Sequence, residues 1–194
     1  MTDTRAYHHG DLRRALLAAA LEAIEEVGPA ALSLRDLARR AGVSHAAPAH
    51  HFGDKAGLLT ALAAQGFDLL AQALTEAADD LLEAGVAYVD FAVTRRAYFE
   101  VMFRPELHRA DDAELIAARG RAGAALRSGV AALPTGGAPA DTDRDALAAW
   151  SIAHGFATLW LAGALPDRVG DNPREAARTV LRRLSPQPHP HPRP

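Results

Sequence analysis

The chain has 194 residues, no cysteine and a formal charge of −3, with nearly half its residues hydrophobic. Length and apolar content exclude a wholly disordered chain and allow a core without staples. The absence of cysteine excludes disulfides, thiolate metal sites and a cysteine nucleophile. The short polar start carries no apolar core of a secretory signal, and charge, Gly or Pro break the longest apolar stretches, so no membrane span is expected and a cytoplasmic location is.

Helical periodicity runs through the sequence. Leu12, Leu16, Ala20, Ala23, Ile24 and Val27 step by three and four, which predicts a helix over about 11–27, started by Asp11 and stopped by Gly28-Pro29. Ser33 is placed to cap a second helix, with Asp36 in its first turn. Leu34, Leu37, Ala38 and Ala41 share one side of it. Gly42 is suited to the left-handed turn that ends it. Val43 is expected as a buried plug, and Ser44 as the cap of a short third helix over about 45–51. A long helical region begins near Asp54, with Leu58, Leu59, Leu62, Phe67, Leu70, Leu74, Leu81 and Leu82 on its apolar side. Further helices are expected over about 83–94, 95–104, 111–132, 143–165 and 173–184. Turn chemistry makes 134–142 a loop. The tail 185–194 is Pro- and His-rich and is expected to be disordered. No run of period-2 strands is present, so the fold class is all-α.

Helix, glycine turn and short helix over Leu34–His51 fit a helix-turn-helix, whose second helix enters a major groove. They also fit an ordinary helical hairpin, and the local pattern alone does not choose. Charge does not choose either. Seven basic residues in 1–57 (Arg5, Arg13, Arg14, Arg35, Arg39, Arg40, Lys55) meet seven acidic ones (Asp3, Asp11, Glu22, Glu25, Glu26, Asp36, Asp54), a net of zero. His45, His50 and His51 lack the i,i+4 spacing of a helical metal pair, so no metal site is expected. No hydrolase elbow, phosphate loop or convincing carboxylate pair occurs, so no enzyme and no cofactor are expected.

The run Leu37-Ala38-Arg39-Arg40-Ala41-Gly42-Val43-Ser44, then His51-Phe52-Gly53-Asp54-Lys55 and Leu58-Leu59, resembles the TetR family of transcriptional regulators. The opening Tyr7-His8-His9-Gly10-Asp11-Leu12-Arg13 resembles an AcrR-like subgroup. Trp150, His154 and Gly155 resemble the signature of a WHG-type C-terminal domain. The resemblance implies a helix-turn-helix DNA-binding domain over 7–53 and a helical ligand-binding and dimerisation domain over 54–184. It implies a homodimer on a pseudo-palindromic double-stranded DNA operator, released by a small, mostly apolar effector, hence a repressor. The DNA-contacting candidates are Arg14, Ser33, Arg39, Ser44, His45, Ala46, Ala47, His50, His51 and Lys55. Ala49 departs from the pattern, which has tyrosine there, and Pro48 falls at about the fourth position of the third helix. Both favour an alternative, a helical small-molecule-binding or interaction module with weakened DNA binding.

Aromatic residues concentrate further along. Trp150 and His154 are four apart, hence on one helix face. Phe91, Tyr98, Phe99, Met102 and Phe103 gather on two earlier helices. Core packing accounts for most of them. A minority would line an effector pocket, with Phe91, Tyr98, Met102, Trp150 and His154 as candidates and His154 or Tyr98 as polar anchor.

Overall fold

The computed structural model describes residues 4–78, 80–132 and 139–184. Among these, nine α-helices and three short 3-10 turns are present and no strand. The helices are α1 (Thr4–Ala31), α2 (Leu34–Arg40), α3 (Ala47–Phe52), α4 (Lys55–Glu76), α5 (Leu81–Thr94), α6 (Arg96–Met102), α7 (Ala113–Ala131), α8 (Pro139–Leu161) and α9 (Pro173–Leu181).

Several helix ends differ from the sequence expectation, each for a local reason. α1 begins at Thr4, before Asp11, and Gly28 (φ 76°) kinks it instead of ending it. Pro29 then opens a further turn, where its missing N–H costs nothing. α4 stops at Glu76, so Leu81 and Leu82 start α5. α8 starts at Pro139, inside the stretch read as a loop, because proline suits a first helical position. α8 also ends before 165, since Gly163 takes φ 63° and its N–H bonds to the Trp160 carbonyl. Residues 134–138 of the expected loop and the tail 185–194 lie outside the described residues.

The chain forms two compact units. One comprises the residues up to Ala71 with Thr94–Gly123, the other Gln72–Val93 with the residues from Ala124 on. In the first, α1 packs on α2 and α6, and α2 on α3. Its core includes Leu16, Ile24, Leu37, Leu58, Leu59, Leu62, Met102 and Leu115, all essentially without solvent contact. In the second, Val86, Tyr88, Val89, Phe156 and Ala157 are buried, and α8 packs on α9. Arg178 holds Glu83 through two bonds of 2.8 and 2.7 Å, and Arg174 reaches Asp90 at 3.2 Å, tying α9 to α5.

By length and composition α4 is apolar enough to cross a bilayer, which the reading of the sequence did not anticipate. More than half of its most apolar stretch is buried inside the protein, including Leu58, Leu59, Leu62 and Leu70. That is the burial expected of a core helix.

Candidate nucleic-acid interface

The turn between α2 and α3 is built from backbone bonds. The Ala41 N–H donates to Leu37, that of Gly42 to Arg39 and that of Val43 to Ala38, at 2.9, 3.2 and 3.0 Å. Gly42 sits at φ 66°, a conformation costly for any residue with a Cβ. Leu37 and Ala38 are fully buried beneath the turn, and Val43 is half-buried. A small residue at 38 lets α2 and α3 approach.

Neither serine caps through its side chain. Ser33 has extended backbone at the start of α2, but its hydroxyl makes no capping bond. Ser44 closes the next turn with its backbone carbonyl, which accepts from the Ala47 N–H at 3.0 Å. α3 starts two residues later than expected, with Ala46 as the flanking residue and Pro48 in its first turn. A proline there removes no intrahelical bond, so the expected cost of Pro48 does not arise. Pro48 and Phe52 are buried, and the Arg13 guanidinium of α1 lies 5.4 Å above the Phe52 ring. These contacts seat α3 with its other side outward.

On that outward side Ser44, His45, Ala46, Ala49 and His50 are exposed, while Ala47 and His51 are half-buried. Ala49 therefore faces solvent with only a methyl group. Ser33, Arg35 and Arg39 are exposed along α2, and Arg14 on α1. Two α2 guanidiniums are engaged locally. Arg39 meets Asp36 at 2.6 Å, and Arg40 bridges Asp36 and Glu26 at 2.7 Å each. Arg40, with Arg39, holds the Asp36 carboxyl below the usual range, and Arg40 does the same to Glu26. Arg40 thus ties α2 to α1, whereas Arg35 meets no carboxylate among the described residues. Lys55 donates from Nζ to the Ala30 carbonyl at 2.5 Å. The sequence reading did not single out Arg35; what sets it apart from Arg39 and Arg40 is Asp36, placed to pair with the residues three and four further on.

The five effector candidates divide between the units. Tyr98 and Met102 belong to the first, where both pack against Gly66. Phe91, Trp150 and His154 belong to the second. There Trp150 and His154 do lie together, ring centroids 5.8 Å apart, around a residue the sequence reading did not single out. Trp150 Nε1 donates to the Tyr88 hydroxyl at 3.1 Å, and that hydroxyl lies 2.8 Å from His154 Nδ1. An indole N–H only donates, so the Tyr88 oxygen accepts from Trp150. Burial pushes the Tyr88 hydroxyl up and the His154 imidazolium down.

His108 is a second buried imidazole, lowered by burial and by Arg119, against the opposing pull of the Met102 carbonyl and Glu106. A histidine that resists protonation when folded stabilises the fold above its ordinary pKa of 6.5, and that contribution is lost as pH falls below it, because the unfolded chain binds more protons. Thermal unfolding should therefore show Tm falling from pH 7 to 5. The slope should flatten in the His108→Gln, His154→Gln double variant; an unchanged slope would assign the pH response to other groups.

The model of the tetR family of bacterial regulatory proteins matches residues 16–62, and that of a tetracyclin repressor-like C-terminal domain matches 81–184. A protein of unknown function from Rhodococcus sp. RHA1 is 36% identical, with a TM-score of 0.74, over 92% of this chain and 95% of that one. The TetR family transcriptional regulator PfmR of Thermus thermophilus shares the fold, at 22% identity and a TM-score of 0.66 over 87% of this chain and 95% of its own. The HTH-type transcriptional regulator BetI of Ectopseudomonas mendocina is 51% identical over 49 residues, 25% of either chain. The matched segment thus spans a quarter of the length of these curated relatives. The outward side of α3, the glycine turn beneath it and matches to both parts of one family agree: the chain belongs to the TetR family of DNA-binding transcriptional regulators and is not an enzyme.

Proposed function

We propose that the protein is a homodimeric repressor that binds a pseudo-palindromic operator in the cytoplasm and is released by a small, mostly apolar effector. Residues 7–53 read the DNA, and residues 54–184 carry the effector site and the dimer contact. The observation that carries this reading is the exposed row Ser44, His45, Ala46 and His50 on a seated α3, with Ser33, Arg35 and Arg39 also exposed at or on the preceding α2. Serine and arginine donate to phosphates, and histidine and alanine suit base edges and thymine methyls. Arg14, Ala47, His51 and Lys55 are the remaining DNA-contact candidates. Phe91, Tyr98, Met102, Trp150 and His154 are the effector candidates. A ligand shifts such an equilibrium only by its differential affinity for the two states.

The test is binding to DNA from just upstream of the protein's own gene, across a salt series. Selective binding should weaken steeply with salt, and Arg35→Ala, by removing one phosphate partner, should reduce the logarithmic slope by about 1. Binding no better than to random DNA would favour a helical module with weakened readout. Ala49 and the local pairing of Arg39 and Arg40 support that second reading.

A further inference from the structure

The compact unit that holds α1, α2 and α3 does not end with them. It also takes in Thr94–Gly123, which carry α6 and the first part of α7. α6 packs on α1, and it lies so close to α4 that a Cβ on Gly66 would stand 2.6 Å from Met102 Sδ. Leu115 of α7 is fully buried in the same unit. The residues that read DNA thus sit in a body that later parts of the chain complete.

Arg109, in the connection between α6 and α7, reaches the end of α3 itself. Its backbone N–H donates to the Thr60 hydroxyl of α4 at 2.9 Å. That hydroxyl is 4% exposed and donates in turn to the Ala56 carbonyl at 2.7 Å. Arg109 Nη2 donates to Asp54 Oδ2 at 3.0 Å. The other oxygen of Asp54 accepts from the Gly57 N–H at 2.8 Å, so one carboxylate both starts α4 and holds the guanidinium. The Gly57 N–H and Arg109 keep the Asp54 carboxyl below its usual range. The guanidinium also lies along the turn. A Cβ would stand 3.6 Å from Nη2 at Gly53 and 3.4 Å from Nη1 at Gly57. Gly53 follows α3 directly, with φ 78° and its N–H on the Ala49 carbonyl at 2.8 Å. Main chain and side chain of one residue therefore fasten the α6–α7 connection to the turn by which α3 passes into α4.

We infer that Arg109, which lies outside the residues that read DNA, is a positioning residue for DNA binding. By gripping Asp54 across Gly53 and Gly57 it fixes the angle at which α3 presents Ser44, His45, Ala46 and His50. α3 has only six residues and ends at a glycine, so packing against its neighbours, not its own backbone, sets that angle. The side chains of Arg109 and Asp54 are 49% and 62% exposed, so the ion pair adds little to global stability. A flat, forked guanidinium spans both glycines and the carboxylate, whereas an ammonium keeps only the charge. The role rests on the operator reading above, since it needs α3 to enter the groove.

The test uses the full chain and operator duplexes selected by the wild type from random-sequence DNA. Arg109→Gln should weaken operator binding by about tenfold. Non-specific affinity and the logarithmic salt slope should be unchanged, because no phosphate contact is lost. Tm should fall by no more than about 4 °C. Asp54→Asn keeps an oxygen for the Gly57 N–H and should weaken operator binding similarly. The double variant should be no weaker than the worse single one, because the two residues act as one grip. Arg109→Lys should recover part of the loss. Operator binding by Arg109→Gln that equals the wild type overturns the role. A salt slope reduced by about 1 in Arg109→Gln, or tighter binding by Asp54→Asn, also overturns it, by making Arg109 a phosphate contact that Asp54 restrains. A large loss of Tm with equal losses of operator and non-specific binding overturns it in favour of a purely structural role. A wild type that selects no sequence sinks the operator reading and this role together, whereas a selective wild type with indifferent variants sinks the role alone.

Discussion

Replacing Gly57 by alanine is expected to destabilise the chain by about 2–4 kcal/mol and to remove selective DNA binding with it. A Cβ at this position would lie 2.0 Å from the Phe52 carbonyl oxygen and 3.1 Å from its carbon. Both are backbone atoms at the end of α3, so no rotamer change relieves the overlap. Gly57 cannot retreat either, because its N–H is held by Asp54 at 2.8 Å. Phe52 is buried under Arg13, so α3 itself must shift. In a chain of this size each kcal/mol lowers Tm by roughly 2–4 °C. Thermal unfolding of Gly57→Ala beside Gly120→Ala makes the comparison, since a Cβ at Gly120 meets nothing within 4 Å in α7. The Gly120 variant should be neutral or slightly stabilised, as alanine is the better helix former. Equal melting temperatures and equal DNA affinity for the two variants would refute the close approach.

The second large effect concerns the outer side of α8. No Asp, Glu, Lys or Arg occurs between Asp145 and Asp167. Within that stretch Leu147 is 58% exposed and Leu159 48%, with Ile152 and Ala148 also open to solvent. A Cβ on Gly155 would meet nothing in its own chain. Large exposed apolar side chains without a charge among them mark a surface that associates. The proposed two-fold dimer places this side of α8 against its copy, with Val180 of α9 alongside. The double variant Leu147→Asp, Leu159→Asp should then raise the dimer dissociation constant more than about 100-fold, since each buried contact would enclose an uncompensated carboxylate. Both leucines are exposed within the single chain, so helical content should persist. Sedimentation velocity reads the outcome. A wild type that sediments as a monomer at micromolar concentration, or a variant that dimerises as tightly, would sink the dimer assignment. DNA affinity should fall with dimerisation, because one half-site is then bound without the other.

Much of the fold was legible where its causes are local. The spacing of Leu37, Ala38 and Ala41 and the glycine at 42 specify a helix and a left-handed turn from a few consecutive residues. The i,i+4 placement of Trp150 and His154 put them together correctly for the same reason. Errors of one to several residues arose where two local signals competed. Ser44 looked like a cap, but Pro48 set the start of α3, and Pro139 opened a helix inside a stretch rich in turn residues.

An all-helical chain with a glycine turn and a short helix after it can therefore be read straight from the residues, because backbone conformation and helix periodicity act over three or four positions. Which distant residues meet cannot be read that way. Packing brings Tyr88 to Trp150 and His154 across more than 60 positions, Arg109 to Asp54 and Thr60, and Arg119 to Phe67. It also engages Arg40 between two carboxylates while Arg35 is left facing outward. Such pairings depend on how helices pack, and packing is set by the shapes of whole buried faces, which no short run of residues encodes.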